Sequence, residues 1–304
     1  MSARLLAGEE PAAKLLESLK KDIEGLKAKG VPPHLVAVQV GDSPAAKVYI
    51  GQQRKSCEDV GIEYEVRQFP ETITQKELLA AIHGLNKEKA VTGVIMMMPM
   101  PKGIDARQLQ VRISPAKDVE GMHPANMGRL VYGEMGVCPC TARGALELFL
   151  SSGETLKGKE IVIVGHSEIV GKPLALMMLA SQMESATPTV CHIATKDLAF
   201  HTKRADVLFV AVGKAGLIKG DMVKQGAIVI DIGINRVPML DAAGKPVLNE
   251  KGKPKQKIVG DVDFDGAKER ASLISPVPGG VGPMTTAMLI RNTVQCAQLA
   301  AAGK

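Results

Sequence analysis

Hydrophobic residues in the first half of the chain recur alternately at helical and at strand spacing. From Leu16 to Leu26 they recur every three or four residues, which predicts an amphipathic helix that ends at Gly30. Short apolar or alternating segments follow, and a helical segment separates each from the next. The predicted elements are a strand over Leu35–Val40, a helix over Ala45–Val60, a strand over Ile62–Gln68, a helix over Thr74–Asn86 and a strand over Val91–Met98.

The same alternation starts again near residue 157. Residues 236–258 interrupt it, and their content of Pro, Gly and Lys indicates an exposed hairpin or loop. The predicted elements are strands over Glu160–Val164, Thr189–His192, Val207–Ala211, Ala227–Ile232 and Leu273–Ser275, a helix over Lys172–Ser181 and a final helix that begins after Pro283.

Strands that alternate with helices of this length are typical of βαβ units, which form a mostly parallel sheet. Because the alternation occurs twice, the sequence predicts an α/β protein with two lobes and a boundary near residue 145. A cleft between two lobes is the usual position of a ligand site, so we expect an interlobe cleft to carry the function.

The composition excludes several classes of function. Aromatic residues make up only 3% of the chain and Trp is absent, so stacking platforms for nucleic acid are not expected. The net charge of +6 is accompanied by no nucleic-acid motif, and it fits a basic surface or the attraction of anionic ligands such as dinucleotides. No apolar run approaches the roughly 20 residues of a membrane helix, and the N-terminal apolar stretch is too short for a signal peptide. We therefore expect neither a nucleic-acid nor a membrane partner.

The five cysteines are scattered along the chain, and none forms a C-x-x-C pair. An odd, scattered set argues against a disulfide framework. Cys138 and Cys140 are poorly spaced for chelating one metal ion, so we interpret them as buried thiols and expect no metal site. A reducing, cytoplasmic location fits these features.

A glycine-containing turn, GHSEIVG at residues 165–171, joins the first strand and the first helix of the second alternation. In a parallel sheet, this is where backbone N–H groups at a helix N-terminus hold a dinucleotide phosphate. The spacing departs from G-x-G-x-x-G, because Ser167 occupies the place of the second glycine and Gly171 comes one residue late. A plain tight turn therefore remains an alternative. Glycines that follow later strands, at Gly213 and Gly233, would line the same crevice.

Several longer motifs occur in order along the chain. They are VGDSPAAKVYIGQQRKSCEDVGI (40–62), MPMPKGID (98–105), KDVEGMHPANMGRL (117–130), VGHSEIVGKP (164–173), DIGIN (231–235), GDVDF (260–264) and PVPGGVGPMT (276–285). Together they resemble the bifunctional methylenetetrahydrofolate dehydrogenase/methenyltetrahydrofolate cyclohydrolase family, over essentially the whole chain.

The resemblance implies a catalytic, folate-binding α/β domain over residues 1–145 plus 284–304, and a Rossmann-like NAD(P)-binding domain over residues 146–283. It also implies a homodimer and a tetrahydrofolate-borne one-carbon substrate. Tyr49 matches the family's tyrosine that packs against the folate, and Pro278, Gly279 and Gly280 match the turn at the far side of the folate. From the residues alone, a core tyrosine with a bonded hydroxyl is the alternative for Tyr49.

Four positions depart from the family's catalytic motifs. The usual Ser is Ala46, the usual Lys is Gln53, a Gln before the Pro-x-Pro turn is Met97, and the Asp of K-D-V-D-G is Glu120. Each change has an ordinary structural interpretation, but the four would converge on one pocket, so we expect them to alter function. At about 100° per residue, no neighbouring lysine or arginine of this helix shares the face of Tyr49 and Gln53. We assign Tyr49, Gln53, Met97 and Glu120 as the catalytic positions. The expected substrate-binding residues are Tyr49, Glu120, Pro278, Gly279 and Gly280.

These departures separate the family's two activities. Hydride transfer depends on positioning the methylene carbon against the nicotinamide, whereas hydrolysis of the methenyl group benefits from a tuned acid or base. A neutral Gln cannot carry a proton. We therefore expect a 5,10-methylenetetrahydrofolate dehydrogenase whose cyclohydrolase activity is weak or lost. The alternatives are a fully bifunctional enzyme, a dehydrogenase for a related pterin carrier and a non-catalytic folate-binding paralogue.

The cofactor is expected to be NAD or NADP, with NAD favoured. Family members that use NADP commonly have Arg at the position of His166, and often a polar or basic residue at Ile193. A permanent bidentate cation suits a 2′-phosphate better than either residue does. One feature argues against NAD. NAD enzymes often have an Asp or Glu at the end of this strand, where it binds the ribose 2′-hydroxyl, but the strand over Thr189–His192 ends without one. The expected cofactor-binding residues are Gly165, His166, Ser167, Ile169, His192, Ile193, Val212, Gly213 and Ile234.

Overall fold

The computed structural model of the chain describes residues 2–241, 244–250 and 252–303. The chain divides into two compact units. The first unit comprises Ala12–Arg143 with Thr285–Lys304, and the second comprises Met1–Pro11 with Gly144–Met284.

This division differs from the sequence-based one at the N-terminus. Residues up to Pro11 group with the second unit, whereas the sequence assigned residues 1–145 to one domain. The reason is a two-residue strand, β1 (Arg4–Leu5), which pairs in parallel with β11 (Leu273–Ile274). So short a strand has no periodicity that a sequence could display.

The first unit contains a parallel sheet with the strand order β3-β2-β4. All residues of the central strand are buried, as a strand covered on both faces requires. Its strands are β2 (His34–Val40), β3 (Glu63–Phe69) and β4 (Gly93–Met96). Its helices are α1 (Glu9–Ala28, which begins in the second unit), α2 (Pro44–Val60), α3 (Gln75–Lys87), α4 (Ala106–Gln110), α5 (Pro124–Val131), α6 (Cys140–Leu150, which ends in the second unit) and α10 (Val281–Ala301, which begins in the second unit).

Apolar side chains cover both faces of this sheet. On one face, Leu78 and Ile82 of α3 pack against Val36 and Val38 of β2. The other face is covered by α1, α2 and α10, and Ile290 of α10 belongs to that core. The C-terminal helix therefore packs within the first unit, although the second unit precedes it in sequence.

The second unit contains a parallel sheet with the order β1-β11-β8-β7-β5-β6 and a separate antiparallel pair, β9 with β10. The sequence predicted an exposed hairpin or loop over residues 236–258, and this antiparallel pair lies at the two ends of that segment. The remaining strands are β5 (Glu160–Val164), β6 (Thr187–Cys191), β7 (Val207–Val210), β8 (Ile228–Asp231), β9 (Asn235–Pro238) and β10 (Gln256–Val259). The helices are α7 (Gly171–Met178), α8 (Leu198–Thr202) and α9 (Phe264–Lys268), with a 3-10 turn at Gly220–Met222.

The predicted α/β class with mostly parallel sheets is confirmed, and several bounds are corrected. The predicted strand Val91–Met98 is shorter, because β4 pairs with β2 only from Gly93 to Met96. The predicted helix Lys172–Ser181 ends at Met178. The last helix begins at Val281, before Pro283, since a proline in the first helical turn sacrifices no hydrogen bond. Helices α4, α5, α6, α8 and α9 were not predicted.

Within the described residues, no helix is long and apolar enough to cross a membrane. The five cysteines are free thiols. Cys57, Cys138, Cys191 and Cys296 are buried and Cys140 is half-buried. In the same part of the chain, no group of three His, Cys, Asp or Glu side chains could hold a metal ion.

Candidate functional site

A pocket of about 180 Å³ lies beside the carboxyl end of β4 in the first unit. The structure brings the four expected catalytic positions together there. The pocket is lined by Tyr49 and Gln53 of α2, by Ile95, Met96, Met97 and Met98, and by Glu120.

Helix α2 presents Tyr49 and Gln53 on one face because they are four residues apart. The helix begins after Ser43, whose hydroxyl accepts a hydrogen bond from the Ala46 backbone N–H at 3.4 Å. It ends at Gly61, which adopts the left-handed conformation with φ of 82°. Both ends of the helix that carries Tyr49 and Gln53 are therefore capped.

Tyr49 is not a core residue, since 51% of its surface is exposed. Gln53 is half-buried, and its side-chain Oε1 accepts a hydrogen bond of 2.9 Å from the hydroxyl of Tyr64 on β3. Burial raises the pKa of Tyr64 above the ordinary range of a phenol, so this hydroxyl stays protonated and donates. The Gln53 amide is thus held in one orientation at the pocket wall.

The cations of α2 are Lys47, Arg54 and Lys55. Lys47 forms an exposed ion pair of 2.7 Å with Asp42. The Arg54 guanidinium lies 5.5 Å from the centre of the Tyr64 ring, and Lys55 is exposed. The described residues that line the pocket include none of these three cations.

Glu120 is the carboxyl group at the pocket. Exclusion of water and, secondarily, the negative charge of Asp118 raise the pKa of Glu120 to about 7, against the opposing effect of a hydrogen bond with the Met96 backbone. Asp118 is itself buried, and its Oδ2 accepts hydrogen bonds from the His123 backbone N–H at 2.8 Å and from Asn126 Nδ2 at 2.9 Å. A carboxyl that changes charge near neutral pH is suited to proton transfer.

The glycine turn in the second unit is shaped by close backbone approaches. A Cβ added to Gly171 would overlap the Gly165 carbonyl oxygen, and one added to Gly165 would overlap the Ala211 carbonyl. Ser167, in the place of the second glycine, accepts a hydrogen bond from the Val170 backbone N–H at 3.2 Å. The irregular spacing therefore still gives a tight turn directly before α7.

Two buried aspartates connect the loops that follow β7 and β8. Asp261 Oδ2 accepts hydrogen bonds from the backbone N–H groups of Val212 at 2.6 Å and Gly213 at 2.9 Å. Asp231 accepts from the backbone N–H groups of Gly233, Asp261 and Val262 at 2.9 to 3.0 Å. Burial raises the pKa of Asp231 to about 6 despite these bonds. Hydrogen bonds thus join the motif DIGIN (231–235) to the motif GDVDF (260–264).

His166 and His192 follow neighbouring strands, β5 and β6, and stack in parallel. Their ring centres are 4.8 Å apart and the planes differ by 8°. Exposed isoleucines follow the ends of β5, β6 and β8, at Ile169, Ile193 and Ile234. Apolar side chains exposed beside a polar backbone turn are typical of a dinucleotide site.

The turn at Pro278–Gly280 rests on the N-terminal segment of the chain. The Gly8 backbone N–H donates a hydrogen bond of 2.8 Å to the Gly279 carbonyl oxygen. A Cβ at Gly8 would overlap the carbonyl oxygen of Gly280. Gly279 has a φ of 101°, which few residues other than glycine adopt.

Sequence reasoning missed Tyr64, Asp261 and Gly8 as supports of these sites. Only Asp261 had a signal, because it belongs to the quoted motif GDVDF. Tyr64 was one residue of an alternating strand, and Gly8 precedes a helix without any motif. Their importance depends on contacts with residues distant in sequence.

The fold, the pocket and the glycine turn together define a two-domain α/β protein with a dinucleotide-binding domain. Residues 6–120 match the catalytic domain of the tetrahydrofolate dehydrogenase/cyclohydrolase family, and residues 139–301 match its NAD(P)-binding domain. The chain belongs to this family, as the sequence motifs predicted.

Known relatives align over almost the whole chain. The bifunctional protein FolD 2 of Mesorhizobium japonicum is 49% identical over 292 residues, which cover 96% of this chain and 90% of that protein. The crystal structure of the bifunctional enzyme FolD from Campylobacter jejuni, a methylenetetrahydrofolate dehydrogenase/cyclohydrolase, has a TM-score of 0.87 at 43% identity, covering 98% of this chain and 99% of that one. The Trypanosoma brucei FolD structure, complexed with NADP and an inhibitor, has a TM-score of 0.87 at 32% identity and covers 98% of both chains.

The family model that matches residues 139–301 describes an NAD(P)-binding domain, and the second unit of this chain fits such a cofactor. The glycines at 165 and 171 leave the turn without side chains where the backbone approaches itself most closely. The loops of Val212 and Gly233 are held by Asp261 and Asp231. A tight glycine turn at the carboxyl edge of a parallel sheet is where a dinucleotide phosphate can approach the backbone.

Proposed function

We propose that the chain is an NAD(P)-dependent 5,10-methylenetetrahydrofolate dehydrogenase in which hydrolysis of the methenyl product is much weaker than hydride transfer. The observation that carries this proposal is the position of Gln53. Its amide lines the pocket and is hydrogen-bonded to Tyr64, where relatives are expected to have a lysine.

The pocket supports the positioning that hydride transfer needs. Tyr49 offers an exposed aromatic face against which a pterin ring can pack. Gln53, whose Oε1 accepts from Tyr64, retains an amide N–H group that can donate to the substrate. When bound, the nicotinamide cofactor supplies the hydride acceptor, and the residues of this chain orient the one-carbon group and exclude water.

The same pocket supports hydrolysis poorly. The described residues that line it include no amine. Met97 is buried, and its thioether cannot orient an ammonium group. Losing a general acid or base typically costs 10²- to 10⁴-fold in rate, roughly 3–5 kcal/mol of barrier.

The test is one absorbance assay that follows nicotinamide reduction and methenyltetrahydrofolate together. We expect reduction of the cofactor with accumulation of the methenyl compound. Rapid conversion of the methenyl compound to the formyl product, at a rate matching hydride transfer, would contradict the weak hydrolysis. Absence of reduction with both NAD and NADP would contradict the dehydrogenase itself.

For the cofactor, we propose a preference for NAD. His166 is stacked on His192, and the neighbouring Ile193 is 59% exposed and apolar. Neither arrangement supplies the permanent planar cation that binds a 2′-phosphate best. Comparing kcat/KM for NAD and NADP tests this preference, and a strong preference for NADP would contradict it.

We also propose a homodimer that pairs through the second units, in a reducing compartment such as the cytoplasm. Strand β6 lies at an edge of its sheet, and Leu179, Met183 and Val190 near or on it are exposed apolar residues. An exposed apolar edge is favourable for pairing with a second copy. Sedimentation analysis of the wild type and of Val190→Lys tests the assembly, and a wild-type monomer at micromolar concentration would refute it. The five free thiols support the compartment.

A further inference from the structure

His166 and His192 form a stacked pair at one edge of the sheet in the second unit. His166 follows β5, and His192 directly follows β6, the parallel strand beside it. Their ring centres are 4.8 Å apart and the ring planes differ by 8°. His166 is exposed, whereas His192 is half-buried. The His166 ring is therefore accessible to a ligand at the carboxyl ends of these strands.

Backbone contacts hold the His192 ring in one protonation state. Its Nδ1 accepts a hydrogen bond of 3.2 Å from the Ala194 backbone N–H. Its own backbone N–H donates to the Thr195 hydroxyl oxygen at 2.9 Å. A ring nitrogen that accepts an N–H carries no proton, so His192 keeps its single ring proton on Nε2 while this bond persists. Protonation of His192 would therefore cost a hydrogen bond.

Protonation of His166 carries no such cost. Within the described part of the chain, its ring is found in the stack on His192 and in no hydrogen bond. A second proton on the pair would place two like charges 4.8 Å apart, so one proton is favoured over two. The pair can therefore carry one positive charge, on His166.

The other charged side chains on the surrounding elements leave the histidines as the groups that change charge near neutral pH. Those side chains lie on the glycine turn, on α7 and in the loops after β6 and β7, and they are Glu168, Lys172, Lys196, Asp197 and Lys214. Glu168 and Lys172 form an ion pair of 3.8 Å. The third histidine of the second unit, His201, packs edge-on against Phe200. Histidine is the side chain that ordinarily changes charge between pH 5 and 8.

The pair lies where the adenosine end of a dinucleotide binds in this topology. The phosphates approach the glycine turn after the first strand, and the ribose lies beside the residue that ends the next strand. NAD has a 2′-hydroxyl on this ribose, whereas NADP has a 2′-phosphate. A neutral imidazole offers one N–H donor, whereas an imidazolium offers two donors and a positive charge. The protonated form therefore suits the phosphate better than the neutral form does.

We propose that the His166 ring, stacked on His192, binds the 2′-phosphate of NADP in its protonated form, so that the choice between NAD and NADP depends on pH. This inference rests on the proposed NAD(P) cofactor and deepens the proposed preference for NAD. A bound phosphate favours the imidazolium, so NADP binding takes up a proton wherever the free histidine is neutral. Binding of NADP relative to NAD should then strengthen as pH falls from about 8.5 to about 6.5.

The experiment measures Kd for NAD and for NADP by isothermal titration calorimetry of the whole chain, at constant ionic strength. Two buffers with different ionisation enthalpies at each pH give the number of protons taken up. We expect the ratio of the NAD Kd to the NADP Kd to rise about fivefold from pH 8.5 to pH 6.5, because a charge-assisted hydrogen bond is about twice as strong as a neutral one. NADP binding should take up a proton that NAD binding does not. This range avoids the titration of the phosphate itself, near about pH 6.

Three variants test the role of His166. His166→Gln keeps an N–H donor but accepts no proton, so the Kd ratio should become independent of pH and the extra proton uptake should disappear. His166→Arg has a permanent charge and should favour NADP at every pH, without the uptake. The matched control is His83→Gln, at an exposed histidine of α3, and it should keep the wild-type profile.

Binding of NAD by each variant reports that its cofactor site is intact. A wild-type ratio that stays constant over this pH range would overturn the inference, and so would a wild-type profile in His166→Gln. If His166→Gln binds no NAD, the profile of His166→Arg decides, and a wild-type pH dependence there would overturn the inference as well. In each of these cases, reduction of NAD by methylenetetrahydrofolate would still support the proposed dehydrogenase. A pH-dependent ratio that needs His166, in a protein that reduces neither cofactor, would support the inference and refute the dehydrogenase.

Discussion

The Tyr64 hydroxyl and the Gln53 side chain form a hydrogen bond of 2.9 Å between strand β3 and helix α2. The bond uses the amide oxygen of Gln53 and holds the side chain against a largely apolar wall. An ammonium group at position 53 could use the same phenol oxygen as an acceptor. Tyr64 could therefore accept one hydrogen bond from a lysine at position 53. Met97 could not serve as a second strong acceptor, because its side chain carries only a thioether.

Gln53→Lys combined with Met97→Gln should increase hydrolysis of methenyltetrahydrofolate. The new amide can accept a hydrogen bond from the new ammonium, and a desolvated amine can exchange protons near neutral pH. We expect an increase of about 10- to 100-fold over the wild type, measured as the loss of methenyl absorbance, and a smaller increase with Gln53→Lys alone.

The control for the double variant is Lys55→Gln, which changes the charge of the same helix at an exposed position outside the pocket. It should leave hydrolysis unchanged. If the double variant folds and reduces the cofactor but hydrolyses no faster than the wild type, the role given to position 53 is wrong.

Asp261→Asn should loosen the loops after β7 and β8. The carboxylate accepts two backbone N–H groups on Oδ2 and the Asn235 amide on Oδ1, whereas asparagine offers one acceptor oxygen and an N–H₂ group that faces donors. We expect unfolding free energy to fall by about 2–3 kcal/mol and KM for the cofactor to rise. Urea unfolding and cofactor titration measure the two effects. The control is Asp265→Asn, at an exposed position nearby. If both variants had the same effects, Asp261 would not be the residue that holds these loops.

Gly171→Ala should impair cofactor binding more than folate binding. The added methyl group would overlap the Gly165 carbonyl oxygen, so the turn before α7 must open. We expect KM for the nicotinamide cofactor to rise by at least about tenfold, since the backbone donors of this turn would be displaced. Gly84→Ala, in α3 with open space around the new methyl group, should leave it unchanged. An unchanged cofactor KM in a folded Gly171→Ala protein would show that the turn does not bind phosphate.

His166→Arg should improve the use of NADP relative to NAD. Arginine adds a permanent cation with paired donors, and a charge-assisted contact of this kind contributes roughly 1.5–3 kcal/mol. The measurement is the ratio of kcat/KM for the two cofactors. His83→Arg adds the same charge at an exposed position of the first unit and serves as the control. If His166→Arg changes kcat/KM for NAD and for NADP by the same factor, position 166 does not lie beside the ribose 2′ position.

Much of the fold could be predicted because its long elements carry strong patterns. The fully buried β2 and the amphipathic α3 appear in the sequence as an apolar run and a helical repeat, and both lie within one or two residues of the predicted bounds. The unpredicted helices α4, α8 and α9 have five residues each, too few for a period to repeat. Strand β1 has two residues and exists only because β11 is beside it.

The sequence by itself determined the α/β class, the motifs of the family and the unusual residues at positions 46, 53, 97 and 120. Tertiary structure decided what surrounds those residues. It placed Tyr64 against Gln53 and Asp261 within hydrogen-bonding distance of the Val212 backbone. Periodicity records which face of an element avoids water, whereas a hydrogen bond or a shifted pKa depends on distances between groups far apart in the chain. Those distances exist only after the elements have packed.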